Sequence, residues 1–243
     1  MKESRIKDSW ILENLIAHRG FFDEISPENS LSAFQKAIDN GYAIECDLHL
    51  TQDGTVVIIH DDTTARTTSQ DKYVAHLTQK DLQEIKLNNS EEHIPTLKEV
   101  LDLVDCKTPI LFEIKNNGKV GELESAVWET LKEYKGEYAI ESFNPYVLKW
   151  FKDNAPNVIR GQLSSKLKDV KLPFFKKLAL KRMMFNKITE PDFIAYNFED
   201  LPYKPVSKSE LPIISWTIRS QEEYLKAIQI SDNVIFESFK PKI

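Results

Sequence analysis

Ala43-Ile44-Glu45-Cys46-Asp47-Leu48-His49-Leu50, followed at once by Thr51-Gln52-Asp53-Gly54 and by Thr55-Val56-Val57-Ile58-Ile59-His60, is the stretch on which the fold turns. Eight residues rich in apolar side chains read as a strand, and Glu45 and Asp47, two apart, share one of its faces. Upstream, Leu31, Phe34, Ala37 and Ile38 recur at helical spacing between Glu28 and Asn40, and Gly41 stands where a helix ends. Before that helix, Leu15 to His18 is a short apolar run. Strand, helix and strand in this order make a parallel crossover unit. Gln52-Asp53-Gly54 is a tight-turn signal, so Thr55 to His60 folds back on the preceding strand as a hairpin.

The same alternation continues to the end of the chain. Further strand candidates are Pro109 to Lys115, Glu137 to Ser142, Val158 to Leu163, Phe193 to Asn197, Pro212 to Thr217 and Asn233 to Glu237. With the hairpin segment set aside, eight main strands predict an α/β fold, a (β/α)8 TIM barrel, with a small insertion after the second strand. Helix starts support the count. Asn144-Pro145, Thr96-Leu97-Lys98-Glu99 and Ser220-Gln221-Glu222-Glu223 each place a capping residue ahead of Pro or of a glutamate three positions on. Residues 61–95 are polar, with one short helical candidate near Thr78, and are expected to form a minor insertion over the barrel mouth. A chain of 243 residues, 41% hydrophobic, then makes one domain, 1–243.

Composition narrows the function. A net charge of -6 argues against a general nucleic-acid binder. The mixed charges of Met1 to Glu13 lack the apolar core of a signal peptide, and no run approaches the length of a membrane span. Two cysteines, Cys46 and Cys106, have neither metal-ligand spacing nor a disulfide framework, which fits a reducing compartment and a cytoplasmic location. Cys46, between Glu45 and Asp47, points to the opposite face of its strand and reads as core.

Chemistry gathers where apolar strands stop. Glu45, Asp47 and Glu113 are carboxylates from neighbouring strands; with no thiolate beside them they form a hard oxygen site suited to magnesium or calcium, with manganese a third choice. His18 follows Ile16-Ala17, and His60 follows Val57-Ile58-Ile59, so both emerge at the rim where this fold carries its active sites. Cleaving a phosphodiester requires charge neutralisation, a deprotonated nucleophile and a protonated leaving alcohol. Carboxylates holding one divalent cation meet the first need and a pair of imidazoles meets the other two. Arg19 beside His18, and Lys115 on the strand face of Glu113, are cations able to hold a phosphate. His49 is a candidate extra ligand or supporting donor, Asn29, close to a helix start, either joins the site or serves only as a cap, and His76 and His93 are assigned no chemistry.

The runs Ile16-Ala17-His18-Arg19-Gly20, Pro27-Glu28-Asn29-Ser30, Glu45-Cys46-Asp47, Leu50-Thr51-Gln52-Asp53-Gly54, His60-Asp61, Arg66-Thr67-Thr68, Phe112-Glu113-Ile114-Lys115, Ser142-Phe143 and Trp216-Thr217 resemble, in this order, the glycerophosphodiester phosphodiesterase family. The resemblance implies a (β/α)8 barrel that hydrolyses glycerophosphodiesters to glycerol 3-phosphate and an alcohol. It also implies a divalent ion on Glu45, Asp47 and Glu113, with His18 and His60 as acid and base, and Trp216 at the substrate. The chain departs from the family pattern at Asp232 to Glu237, where a Thr-Asp pair is replaced, and at Arg219, where the family commonly has Asn. Arg219 then either contacts an anionic part of the substrate's alcohol group or is a solvated residue ahead of the Ser220 cap.

Residues 164–187 are the second unusual feature. Lys166, Lys168, Lys171, Lys176, Lys177, Lys181, Arg182 and Lys187 face Asp169 alone, with Phe174, Phe175, Leu178, Leu180, Met183, Met184 and Phe185 interleaved. That composition suits either a barrel helix with a basic outer face or a segment in peripheral contact with a membrane beside the mouth of the site. The functions left in competition are a glycerophosphodiesterase acting on small-molecule diesters, a lysophospholipase D working through the same residues, and a non-catalytic barrel binding phosphorylated ligands.

Overall fold

The structure, a computed structural model, describes residues 5–116, 118–167 and 173–243. The chain divides into two compact units, residues 16–138 and residues 1–15 together with 139–243.

In the first unit β1 (Ile16–Ala17) runs parallel to β2 (Ala43–Leu50), pairing Ile16 with Ala43. β3 (Val56–Ile58) returns antiparallel on β2, and β4 (Ile110–Ile114) lies parallel on its other edge. Strands of a parallel sheet are covered on both faces, and β4 is buried throughout. The helix Leu31–Asp39 starts at Ser30, whose hydroxyl accepts from the Ala33 N–H, and packs Ala33, Phe34 and Ala37 inward. Gly41 follows it at φ +71°, a conformation that favours glycine. Thr96 and Glu99 cap each other's backbone at the start of the helix Leu97–Val104.

The region 61–95 holds a satellite core of its own. Val74, Leu77, Leu82, Ile85, Leu87 and Ile94 pack with Val57 and Ile59 of the hairpin. Six apolar residues spread over a polar stretch escape a periodicity test yet suffice to pin a loop.

In the second unit β5 (Tyr138–Ser142), β6 (Ile159–Ser164), β7 (Phe193–Asn197), β8 (Ile213–Ile218) and β9 (Asn233–Phe236) are parallel neighbours in that order. Asn144 caps the helix Pro145–Asn154 and Ser220 the helix Gln221–Ala227, as their spacing predicts. The amino-terminal residues belong to this unit. Asn233 donates to the carbonyls of Ile11 and Asn14, and Arg5 forks onto Asp192.

Among the described residues, eight parallel strands with helices between them, and one extra strand outside the set, are the (β/α)8 barrel fold. Element ends differ from expectation by a residue or so: β1 keeps only Ile16–Ala17, and β6 begins at Ile159. His18 and Lys115 consequently sit just past the ends of β1 and β4.

Candidate active site

Parallel pairing sets the carboxylates side by side. β2 and β4 align Asp47 with Glu113, and Glu45 is two residues earlier on the same face of β2. One carboxylate oxygen from each of Glu45, Asp47 and Glu113 lies within 4.8 Å of the others, and all three residues are buried.

Three acids cannot be buried together without cations. Lys115 supplies one, its ammonium 3.0 Å from Asp47 Oδ1 and 2.7 Å from Glu113 Oε2, with its own proton held firmly by those charges. Arg19 supplies another, with Nε 3.4 Å from Asp47 Oδ2 and Nη1 2.8 Å from Glu28 Oε1. Burial works against ionisation of Asp47, yet Lys115 and Arg19 outweigh it and hold the carboxyl well below the usual range. Burial wins at Glu113, which is pushed up to about 7 against the pull of Lys115.

The turn after β1 is built around Glu45. The Arg19 N–H donates to Glu45 Oε2 at 2.8 Å, and the Gly20 N–H reaches the Glu45 carbonyl. Arg19 is held at φ 54°, unusual for a residue with a side chain. Gly20, at φ +80°, has no alternative: a Cβ there would come within 2.9 Å of the Ala33 carbonyl carbon and of the Phe34 ring. His18 is placed by this turn with Nε2 3.9 Å from Glu45 Oε2.

His60 leaves the hairpin with Nδ1 2.7 Å from Asp61 Oδ1. Arg66 Nε in turn donates to Asp61 Oδ2 at 2.6 Å. Burial lowers the His60 pKa, with Asp47 pulling the other way, so the ring is neutral near pH 7. An Nδ1–H donated to Asp61 leaves the Nε2 lone pair free for proton exchange. Both imidazoles act electrostatically on Asp47.

Residues 16–138 thus bring together His18, Arg19, Glu45, Asp47, His60, Glu113 and Lys115. Of the two readings of His49 the structure fits the supporting one: its Nε2 is 3.2 Å from the His60 carbonyl, where it braces the loop. Asn29 is not the cap, since Ser30 does that work; at φ 59° Asn29 turns its amide to donate to Asp47 Oδ2 at 2.8 Å. Cys46 is fully buried, and burial pushes its thiol pKa up, as the core reading requires. Glu28, Asp61 and Arg66 received no role from the sequence, although all three stand in the motif runs. Their signal was position within those runs.

Trp216 and Arg219 belong to the second unit. The Trp216 ring meets Phe143 edge-on at 5.7 Å, and its buried Nε1 has no acceptor among the described residues. Arg219 Nε donates to Glu237 Oε1 at 2.7 Å, and its side chain is 58% exposed.

Residues 18–240 match the glycerophosphoryl diester phosphodiesterase family. A glycerophosphodiester phosphodiesterase of Caldanaerobacter subterraneus is 37% identical over 160 residues, taking in 61% of this chain and 65% of that relative, a little under two-thirds of its length. An Oleispira antarctica phosphodiesterase solved with the product sn-glycerol 3-phosphate superposes with a TM-score of 0.79 at 23% identity, over 92% of each chain, a likeness in fold. A Thermotoga maritima glycerophosphodiester phosphodiesterase gives a TM-score of 0.71 at 25% identity, over 91% of this chain and 93% of that one. With its family match running from the first site histidine almost to the end of the chain, the protein belongs to the glycerophosphoryl diester phosphodiesterase family, a family of enzymes.

Proposed function

We propose that the chain, acting as one catalytic domain in the cytoplasm, hydrolyses glycerophosphodiesters to glycerol 3-phosphate and an alcohol. One divalent cation would be held by Glu45, Asp47 and Glu113. The observation that carries this reading is the convergence of those three carboxylates within 4.8 Å, with both His18 and His60 acting on the central one.

The donor set fits such an ion. Three buried carboxylates are joined by Asn29, whose buried Oδ1 has no hydrogen-bond partner among the described residues while its amide holds Asp47. Hard oxygens of this kind favour magnesium or calcium, with manganese next. When bound, the cation neutralises charge on the phosphoryl oxygens.

The remaining work falls to the chain. Lys115 offers a compact positive charge and Arg19 a planar fork to the phosphate, so the diester is oriented by groups already fixed by Asp47 and Glu28. His60, neutral and oriented through Nδ1 by Asp61, takes the proton of the nucleophile at Nε2. His18 gives a proton to the leaving alcohol oxygen. Water and a hydroxyl of the substrate itself both suit the nucleophile's position in this scheme. Trp216 contacts the substrate and Arg219 an anionic part of its alcohol group; the Arg219→Ala variant raises KM for anionic diesters, and an unchanged KM removes the Arg219 role.

Release of glycerol 3-phosphate from glycerophosphocholine, measured before and after chelation and with magnesium, calcium or manganese restored, tests the whole reading. Activity lost to chelator and regained with one ion is the expected result. Full turnover in the chelated enzyme sinks the metal assignment; choline release from lysophosphatidylcholine alone would move the substrate to lysophospholipids.

A further inference from the structure

From the surface formed by Pro173–Ile188 we infer a docking site for an anionic lipid bilayer, separate in sequence and chemistry from the phosphodiesterase site. Residues 168–172 and the side chain of Lys176 lie outside the described residues, so Lys168, Asp169 and Lys171 carry none of the argument.

The helix Phe174–Lys181 lies in the connection between β6 and β7. Among its described residues no side chain is buried. Phe174 is 70% exposed, Phe175 81% and Met184 61%, with Ile188 also open to solvent. The two phenylalanines meet each other edge-on at 5.5 Å rather than packing under the helix. This is not a segment lacking an anchor. Met183 is buried with Ile194, Tyr196 and Val206, and Lys181 lies over the Tyr203 ring at 5.5 Å. The backbone is tied down while its largest apolar side chains point outward, and exposed apolar groups of that size mark a contact surface.

Charge selects the occupant. With Lys176 left aside, Pro173–Ile188 holds four basic residues and no acidic one, in a chain of net charge -6. A second copy placed symmetrically on this face would set these basic side chains against their own kind, which costs binding energy. Bulky aliphatic and aromatic groups interleaved in sequence with lysine and arginine instead match the layered chemistry of a bilayer with anionic headgroups: apolar tips enter the acyl boundary and cations stay at the phosphates. Phe174, Phe175, Met184 and Ile188 lack hydrogen-bonding side chains with which to read nucleic-acid bases.

The test is flotation of the full chain with vesicles of phosphatidylcholine, with and without phosphatidylglycerol, at low and high salt. Expected is binding to the anionic vesicles only, released by salt, and weakened at least about tenfold both in Phe174→Ser/Phe175→Ser and in Arg182→Glu/Lys187→Glu. Turnover of soluble glycerophosphocholine stays at the parent level in both variants, which also reports that they fold; Phe175→Ser alone serves if the double variant does not. The inference is overturned by absence of binding to anionic vesicles, by equal binding to uncharged ones, or by binding that ignores both pairs of substitutions. It is equally overturned if light scattering shows a dimer, or gel shift an RNA complex, that the phenylalanine substitutions abolish.

Discussion

The β2 and β4 strand ends and the Pro173–Ile188 surface break the usual rule of burial in opposite ways. The first buries charge: Glu45, Asp47 and Glu113 are enclosed, and Lys115, Arg19 and Asn29 hold them. The second exposes apolar area on an anchored helix. In neither place does folding stability account for the arrangement, because a hydrophobic replacement inside and a polar one outside would each cost the fold little. The contrast shows how to recognise function in one molecule: chemistry lies where polar groups are buried at a cost, and docking where apolar groups are left in water.

The comparison can be broken most directly at its inner pole. Asp47→Asn keeps shape and removes the charge shared by Lys115 and Arg19; glycerophosphocholine turnover is expected to fall at least about a thousandfold, and near-parent kcat/KM would dissolve the site. His60→Ala and His18→Ala should each lower kcat by about two orders of magnitude or more, the scale of a lost general acid or base. Asp61→Asn should cost less, about tenfold to a hundredfold, because it disturbs the orientation of His60 and the Arg66 contact but leaves the imidazole in place; a normal kcat would detach Asp61 from the mechanism.

A smaller effect tests whether the ion pairs also stabilise the fold. Burial raises the Glu28 pKa, but hydrogen bonds from Arg66 and the charges of Arg66 and Arg19 outweigh it and leave it below the ordinary 4.5. A lowered folded pKa contributes stability that is complete above the unfolded value and is lost as pH falls through the folded one. Arg66→Met should therefore cost on the order of 1 kcal/mol at pH 7, after allowing for solvent screening of the half-exposed arginine. The difference between the two proteins should shrink below pH 4.5, the ordinary value for a glutamate. Denaturant midpoints at both ends of that range check it, and a pH-independent difference would show that Glu28 is not its source. Smallest of all, Phe174→Ser/Phe175→Ser should change the unfolding free energy by less than about 0.5 kcal/mol; a clear drop in Tm would mean that the two rings pack within the fold after all.

Much of this was legible along the chain. The Ala43–Leu50 strand, the caps at Thr96, Asn144 and Ser220 and the turn at Gly54 all appear at or next to their expected positions, because each depends on residues a few places apart. Lys115 was placed beside Glu113 by alternation alone. Asn29 stood open between the site and a helix cap, and the hydroxyl of Ser30 decides it by taking the cap and leaving the Asn29 amide to Asp47. The apolar residues of 61–95 were overlooked because they pack without a regular period.

Alternation and capping in the sequence determined which side chains share a face and, to within a residue or so, where the strands stop, and with them the identity of the acids, imidazoles and cations. Only the tertiary structure decided their pairing: that Glu28 binds Arg19 and an Arg66 thirty-eight residues away, that Asp61 orients His60, and that Asn29 supports Asp47. The physical reason is range. A helix cap is settled within one turn of chain, whereas a buried charge accepts whichever partner the assembled strands bring within about 3 Å, and nothing in the local sequence marks that partner out.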